Sequence, residues 1–266
     1  MALYETLGQY YDALVKDDEA ADKWVDWIES FAPGRDFLEL ACGSGEISKR
    51  LAAHHHLDAL DLSASMLEAA KAKDSEKAIT FLQGDMRNLE ALGQYDAIGC
   101  FCDSFNYLIE KDEVRQFFKD IYAHLKNGGL FLFDSHGLSR LYEFAEDYEE
   151  AGTFDDGTQV QWIISCEKDW IYQDFAFYLN GRTIEEHHLQ RVWHPQALEG
   201  WLQEAGFEVI DLRGDFGEEP LESCEKYFFA CRKKEGLHPY PPVCEGLDAE
   251  ECLSVLASLK NGSGTK

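Results

Sequence analysis

The chain reads as an α/β protein, a doubly wound and mostly parallel sheet that carries an antiparallel β insertion. Three observations lead there. An apolar strand runs into a glycine-rich turn and a helix at residues 36–48, strand-like and helix-periodic segments alternate from there to residue 136, and strand runs without helices between them fill residues 159–192. Strand–helix alternation builds parallel sheet covered on both faces, and uninterrupted strand runs build antiparallel sheet.

Residues 1–35 are expected to form helices ahead of the first strand, with Trp24, Trp27, Ile28 and Phe31 at helical spacing as core contacts. Phe37, Leu38 and Leu40 make the first strand, which ends in a turn holding Gly43 and Gly45. Glycines let such a turn take positive φ and admit a ligand with no Cβ in the way. The free N–H groups of the following helix point at the same spot. This is a cofactor-binding turn. A dinucleotide fingerprint would place its third glycine where Ser48 stands, and an acid, Glu39, sits on the strand before the turn.

The second strand starts at Leu57 and ends at Asp61, 18 residues beyond Gly43. An acid so placed accepts hydrogen bonds from ribose hydroxyls. Ser63 is expected to cap a helix with Met66, Leu67 and Ala70 on its apolar face. A short β-rich run from Ile79 reaches Gly84-Asp85-Met86, and a fourth strand from Tyr95 ends in the polar cluster Cys102-Asp103-Ser104-Phe105-Asn106-Tyr107-Leu108. Val114, Phe117, Phe118, Ile121, Tyr122 and Leu125 form a helical stripe, which Lys126-Asn127-Gly128-Gly129 is expected to end by C-cap chemistry. The apolar run from Leu130 to Asp134, Ser135 and His136 suits a buried parallel strand.

Glu39-Leu40-Ala41-Cys42-Gly43-Ser44-Gly45 resembles motif I of the class I S-adenosylmethionine-dependent methyltransferases, E/D-x-G-x-G-x-G, with Ala41 where the pattern has its first glycine. Gly84-Asp85-Met86 resembles that family's adenine-recognition element, which nicotinamide enzymes do not need. The turn from Asp103 to Leu108, and the Lys-x-Gly-Gly turn followed by a hydrophobic strand and Asp134, are similar to further family features. The ordered matches span residues 36–136. The resemblance implies a Rossmann-like, seven-stranded sheet with an antiparallel last strand, S-adenosyl-L-methionine as cofactor and S-adenosyl-L-homocysteine as product. It places Glu39, Ala41, Gly43, Ser44 and Gly45 at the cofactor's turn, and Asp61, Leu62, Met66, Gly84 and Cys102 among its further contacts. It gives Asp85 the adenine amino group, and Met86 a backbone bond to the ring and a side chain packed on the base. Tyr11 lies in a segment that folds over the cofactor in similar enzymes and is expected near its methionine end.

At 266 residues the chain can bury one large core, or one core with an elaboration. It shows no signal-peptide pattern and no long apolar segment, so neither export nor membrane spanning is expected and the location is read as cytoplasmic. Its eight cysteines contain no CxxC pair and are read as reduced, mostly buried thiols. The net charge of −27 disfavours a nucleic-acid partner, because such affinity rests on Lys and Arg displacing counterions. Otherwise the excess acid reads as a solubility device.

Four parts are expected: residues 1–136 as N-terminal helices and cofactor-binding core, 137–192 as an insertion, 193–234 returning to the core, and 235–266 as a peripheral tail. After a helix-like piece over 138–144 the insertion turns acidic, then shows three strand-like runs at 159–170, 172–179 and 183–192, with Asn180-Gly181 marking a hairpin. Such an insertion would stand over the carboxyl edge of the sheet, where ligands bind in open α/β folds, and act as a lid that sets substrate choice. A helix at 195–205 and strands at 208–212 and 226–232 complete the core. The tail holds His238-Pro239-Tyr240-Pro241-Pro242 and a helix-like stretch over 249–259.

Methyl transfer from a sulfonium is an in-line displacement on carbon, to which a protein contributes orientation and exclusion of water. A base is needed only where the nucleophile must lose a proton. Asp103, Asn106 and His136 are the candidate catalytic groups, and Tyr178, His187, His188 and Arg191 of the insertion are candidates for the substrate. His187 and His188 are adjacent on a strand, so one should face the site and the other solvent. The run His54-His55-His56 lies away from the expected site edge and reads as a solvated loop, and no metal dependence is expected. The function that follows is methyl transfer to an O or N atom of a small-molecule acceptor, with no membrane or nucleic-acid partner and with a homodimer compatible. The alternatives are a nucleotide-dependent oxidoreductase, which leaves Gly84-Asp85-Met86 unexplained, a non-catalytic S-adenosylmethionine-binding protein, and a methyltransferase of RNA or protein, which the charge disfavours.

Overall fold

The structure is a computed structural model that describes residues 4 and 6–234; the arm and helix-like stretch expected over 235–266 lie outside the described residues. Helices α1 (Leu7–Val15) and α2 (Asp18–Glu29) precede β1 (Asp36–Leu40), α3 (Glu46–Leu51), β2 (His56–Asp61), α4 (Ala64–Lys73), β3 (Ile79–Gln83) and β4 (Tyr95–Cys100). A short 3-10 turn, Ser104–Tyr107, leads into α5 (Lys111–His124) and β5 (Leu125–His136). Then come α6 (Ser139–Glu143), β6 (Tyr148–Thr153), β7 (Gln159–Glu167), β8 (Trp170–Leu179) and β9 (Arg182–Arg191). Finally α7 (Pro195–Ala205), β10 (Phe207–Gly214) and β11 (Lys226–Lys233) close the described chain.

Seven strands form one sheet in the order β10-β11-β5-β4-β1-β2-β3. Neighbours are parallel except that β11 runs antiparallel to both β5 and β10. This is the doubly wound, seven-stranded Rossmann-like sheet read from the sequence. Its strands divide their side chains between two cores. Phe131 and Phe133 of β5 pack with Phe105, Phe117, Phe118 and Leu202, whereas Leu130 and Leu132 pack with Trp24, Trp27, Ile28 and Leu51. Successive strand residues point to opposite faces, so a strand buried on both sides must be apolar throughout. Local signals set the helix ends: Ser63 accepts the Met66 amide at the start of α4, Glu110 and Glu113 form a capping box on α5, and Pro195 opens α7 while Gly206 closes it.

Three expectations need correction. The helix expected to be capped at residues 126–129 stops at His124 and passes directly into β5. Pairing jumps from Tyr95–Leu125 to Ala97–Leu130, so the intervening residues bulge out of the ladder. Lys126 gains ion pairs there with Asp36 at 2.6 Å and Asp96 at 3.0 Å, which hold the bulge at the amino edge of the sheet. The histidine run is not uniformly solvated: His55 is buried, with its ring nitrogens 2.7 Å from the Gly34 carbonyl and 2.6 Å from Glu29.

The third correction concerns the insertion, which has four strands in the order β6-β7-β8-β9, antiparallel throughout, instead of three. The additional strand, β6, lies in the acidic stretch. All of its residues are exposed, so no apolar alternation marks it, and backbone pairing to β7 defines it. Asn180 and Gly181, at φ 51° and 73°, make the two-residue turn of the β8–β9 hairpin. Val160, Phe175 and Phe177 on the inner face pack against Leu7 and Tyr10, while Gly8 of the same helix abuts Ser65 of α4. Helix α1 is therefore held between the insertion and α4.

Candidate active site

The turn after β1 is built from backbone conformations that few residues adopt. Ala41, Gly43 and Gly45 lie at φ 51°, 55° and 78°. Position 41 thus demands the left-handed region, which alanine enters at a cost of about 1–2 kcal/mol, and this is the physical reason for a glycine at the matching motif position. A Cβ at Gly43 would meet nothing within 4 Å, whereas at Gly45 it would come within 2.9 Å of the Ala70 Cβ.

Asp61, the last residue of β2, accepts the Gly43 and Ser63 amides on its two oxygens, each at 2.8 Å. Burial pushes its pKa up, against the pull of those amides. Each oxygen retains a further acceptor position. Glu39 is buried, with the Ser48 hydroxyl donating to it at 2.5 Å, and burial raises its pKa to about 8. Asp85 receives the Arg87 guanidinium at 2.6 Å, which holds it below the usual carboxylate range.

A cavity of about 480 Å³ runs along the carboxyl ends of β1, β2 and β4. Its wall brings together Tyr11, Glu39, Ala41, Gly43 and Ser44 with Asp61, Leu62 and Met66, and these with Gly84, Asp85, Met86 and Cys102. Gly45 stands behind the wall, starting α3. The arrangement fits an adenosyl ligand. Asp61 offers acceptors for hydroxyls, Leu62 (51% exposed) and Met86 offer apolar surface for a base, and the open space over Gly43 lets a ligand meet backbone. The volume lies within the range of small-ligand sites.

Asp103, Asn106 and His136 do not line this cavity. Asn106 is fully buried; its Nδ2 donates to the Arg191 carbonyl at 2.6 Å and to Ser135 Oγ at 3.2 Å, and its Oδ1 accepts the His136 amide at 3.0 Å. The buried His136 ring lies 3.0 Å from Gln190 Oε1 and 3.4 Å from Asp103. Asp103 pairs with Lys226 at 2.7 Å, and Lys226 also reaches Asp134 at 3.4 Å. Burial alone would raise Asp103, but His136 and Lys226 outweigh it and hold the carboxyl well below its ordinary value. Burial keeps Asp134 high, and the two acids outweigh the desolvation of Lys226 and keep it protonated. Above this cluster Cys102 and Asp103 take φ 56° and 61°, so strained backbone is pinned beside the wall.

Of the candidates on the insertion, His187 lines the cavity at an exposed rim and pairs with Asp174 at 2.6 Å. His188 is buried behind the wall, its Nδ1 2.9 Å from Tyr107 Oη. Tyr178 is exposed, away from the cavity, and donates to Gln161 at 3.2 Å. Arg191 is engaged by Asp169 at 2.8 Å and the Ile109 carbonyl at 2.9 Å, between the rings of Trp170 and Trp193. Among the described residues no cluster of His, Cys, Asp and Glu is arranged to hold a metal ion.

The wall also contains Tyr4 and Tyr107, which sequence reasoning did not single out. Tyr4 precedes the first helix with no periodicity around it. Tyr107 lies in the polar turn, and only the 3-10 geometry decides that this tyrosine faces the cavity while Asn106 faces inward. Lys226 carries no motif signal and reaches Asp103 only because β11 pairs with β5.

Comparison with known proteins gives the family. Residues 37–129 match the family model of a methyltransferase domain. The chain is 33% identical over 249 residues to a protein of Geobacillus sp. (strain WCH70), covering 86% of this chain and 99% of that one. It is 34% identical over 243 residues to YqeM of Bacillus subtilis (strain 168), covering 88% and 98%. Both are named as methyltransferases. The fold matches an S-adenosylmethionine-dependent methyltransferase from Clostridium acetobutylicum ATCC 824 with a TM-score of 0.73 at 24% identity, over 87% of this chain and 99% of that one. It matches the sugar N-methyltransferase KedS8 from Streptoalloteichus sp. ATCC 53650 with a TM-score of 0.71 at 21% identity, over 88% and 95%. The chain belongs to the class I S-adenosylmethionine-dependent methyltransferases.

Proposed function

We propose that the protein transfers a methyl group from S-adenosyl-L-methionine to an N or O atom of a small molecule by in-line displacement, with S-adenosyl-L-homocysteine as product. The observation that carries this reading is one cavity wall that joins the Gly43 turn, Asp61 and Gly84-Asp85-Met86, with His187 and Leu189 of the insertion also lining it. In it Asp61 takes the ribose hydroxyls, Asp85 and Met86 the adenine, and the turn with Tyr11 the methionine end. When bound, the cofactor supplies an electrophilic methyl carbon on a sulfonium. The chain's own part is to hold the acceptor in line and to keep water out, and the insertion over 137–192 serves as the lid. Asp103, Asn106 and His136 act as positioning residues for the wall, because they lie off the cavity and are held against one another, Lys226 and the insertion.

Further support comes from the architecture shared with a sugar N-methyltransferase. The net charge of −27 argues against a phosphate-backbone partner. No described helix is long and apolar enough to cross a membrane, in keeping with a cytoplasmic enzyme. Thermal melts with S-adenosylmethionine, S-adenosylhomocysteine and NADH test the reading. A ligand at 100 times its dissociation constant stabilises by about 2.7 kcal/mol, so both sulfur nucleosides should raise the melting temperature. A rise with NADH alone would replace this function with that of an oxidoreductase.

A further inference from the structure

Behind the cavity wall runs a row of polar groups that cofactor binding leaves unused. Tyr4 and Tyr107 line the cavity with their hydroxyls 2.7 Å apart. Tyr107 Oη lies 2.9 Å from Nδ1 of the buried His188, and His188 Nε2 lies 3.7 Å from Oε2 of the equally buried Glu186. The other Glu186 oxygen accepts the Thr6 and Leu7 amides. His188 Nε2 and Glu186 Oε2 have no hydrogen-bond partner among the described residues, so each is left to the other. The Tyr4 and Phe175 rings close over the imidazole, with centroids 4.7 Å and 5.5 Å away.

The row has a direction. An ionised Glu186 only accepts, so the His188 proton sits on Nε2 facing it, and Nδ1 is left to accept from the Tyr107 hydroxyl. Tyr4 then donates to Tyr107. Each of these protons is committed away from the cavity, which therefore meets oxygen lone pairs and the rings of Tyr4, Tyr11 and Tyr107. Lone pairs and ring faces attract cations and N–H donors and offer a carboxylate or phosphate nothing to bind. Charge points the same way: Asp61 lines the cavity with no cation among the described residues paired to it, Glu39 there keeps its proton, Asp12 is paired with Lys73, and the cavity's cations Lys16 and Arg87 are already engaged by Glu46 and Asp85.

We infer that this row is the acceptor subsite, that the acceptor is an amine arriving as its ammonium ion, and that the amine passes a proton through Tyr107 to His188. The inference rests on the methyl-transfer reading above. An ammonium ion has no lone pair to offer, so it must lose a proton before it can act as a nucleophile. The N–H proton moves to Tyr107 Oη as the hydroxyl proton moves to His188 Nδ1. The nitrogen keeps the electron pair of the broken N–H bond, and the imidazolium that forms lies against the Glu186 carboxylate. Burial pushes the Tyr4 and Tyr107 phenols well above their ordinary range, so they relay a proton and do not store charge. Burial works against the charge on Glu186, but His188 and the Leu7 and Thr6 amides outweigh it and hold the carboxyl below its ordinary value. Tyr107 is the catalytic residue of the row, and His188 and Glu186 are positioning residues that act through it.

The test uses the full chain saturated with S-adenosylhomocysteine, its histidines isotope-labelled at Cε1 for NMR, with dimethylamine as the probe and acetate as the control. Calorimetry first establishes that the nucleoside binds; its failure to bind would overturn the methyl-transfer reading, and with it this inference. Given binding, dimethylamine should move the His188 resonance saturably towards its protonated position, and acetate should leave it in place. The resonance is assigned by its absence from His188→Gln. Tyr107→Phe keeps the ring packing and, once a melt shows it folded and nucleoside-bound, should lose at least about tenfold of the response, the scale of one hydrogen bond to a charged group. An unmoved His188 in the nucleoside-bound protein, or a Tyr107→Phe response equal to that of the parent, overturns the inference.

Discussion

Asn106 Nδ2 donates to the Arg191 carbonyl oxygen at 2.6 Å, and that bond ties the turn after β4 to the last strand of the insertion. Three more bonds run alongside it: Gln190 to the Asp103 carbonyl at 3.1 Å, Arg191 to the Ile109 carbonyl at 2.9 Å, and Trp193 to the Leu108 carbonyl at 3.0 Å. The cavity wall over residues 102–109 and the base of the insertion are therefore one connected unit. Any movement of the insertion relative to that wall has to involve its far end or α1.

Asn106→Leu removes three buried hydrogen bonds and leaves the Arg191 carbonyl and the His136 amide without partners. At about 1 kcal/mol or more for each, the expected loss is about 3 kcal/mol or more in urea unfolding. Because the wall moves with the insertion, affinity for S-adenosylhomocysteine should fall as well. A variant of unchanged stability would show that the clamp contributes nothing.

Asp61→Ala removes the acceptor for the Gly43 and Ser63 amides together with the oxygens offered to the ribose. Hydrogen bonds to a charged group contribute about 1.5–3 kcal/mol, so calorimetry should find affinity for S-adenosylhomocysteine lower by roughly ten- to a hundredfold. Asp61→Asn keeps one acceptor oxygen and should fall between the two.

Gly43→Ala and Gly45→Ala both place alanine at positive φ, at a cost of about 1–2 kcal/mol. Only at position 45 does the new Cβ also meet a neighbour, the Ala70 Cβ at 2.9 Å. Gly45→Ala should therefore melt lower than Gly43→Ala, while Gly43→Ala should lose more nucleoside affinity because its methyl enters the cavity. Melting and binding measured on the pair check the crossing.

Glu39 keeps its proton in the folded chain up to a pH of about 8, against an ordinary value of 4.5. Between those values the folded state binds more protons than the unfolded one, so this group's contribution is present at low pH and is lost as pH rises through about 8. The slope is at most about 1.4 kcal/mol per pH unit. Glu39→Gln removes the titration, so the variant should gain stability relative to the parent as pH rises. Denaturant midpoints for both proteins at pH values of about 5 and about 8 check the sign.

Lys226→Met leaves Asp103 facing Asp134 without their shared cation. Breaking a buried ion pair costs about 3–5 kcal/mol, and the partial exposure of Lys226 places the effect at the lower end. Asp103, held down by His136 and Lys226 in the parent, contributes stability at neutral pH that is lost on acidification. The gap between parent and variant should therefore narrow as pH falls, as read by urea midpoints across the acid range.

Much of this protein was legible along the chain because its determinants are local. The turn from Glu39 to Gly45, Asp61 at the end of β2, and Gly84-Asp85-Met86 each follow a strand by a fixed offset. Parallel topology then brings those strand ends to one edge, where the structure places them on one wall. The apolar run of β5 and the Asn180-Gly181 turn were readable for the same reason: burial on both faces and positive φ constrain residue type directly.

What only the tertiary structure decided depends on partners distant in sequence. Asn106, His136 and Arg191 looked reactive because their chemistry is versatile, yet Asn106 and Arg191 spend their donors and acceptors on Ser135, Asp169 and backbone groups, and His136 is buried off the cavity with Nε2 on Gln190 and Nδ1 3.4 Å from Asp103. Strand β6 has no apolar period because both of its faces are wet. Tyr4, Tyr107 and the Glu186–His188 pair come from the N-terminal segment, the polar turn and the insertion, and no spacing along the chain links those three segments. A sequence records which residue types are present and the local geometry they favour. Which polar groups remain unspent at a cavity is settled only when every other donor and acceptor has found its partner.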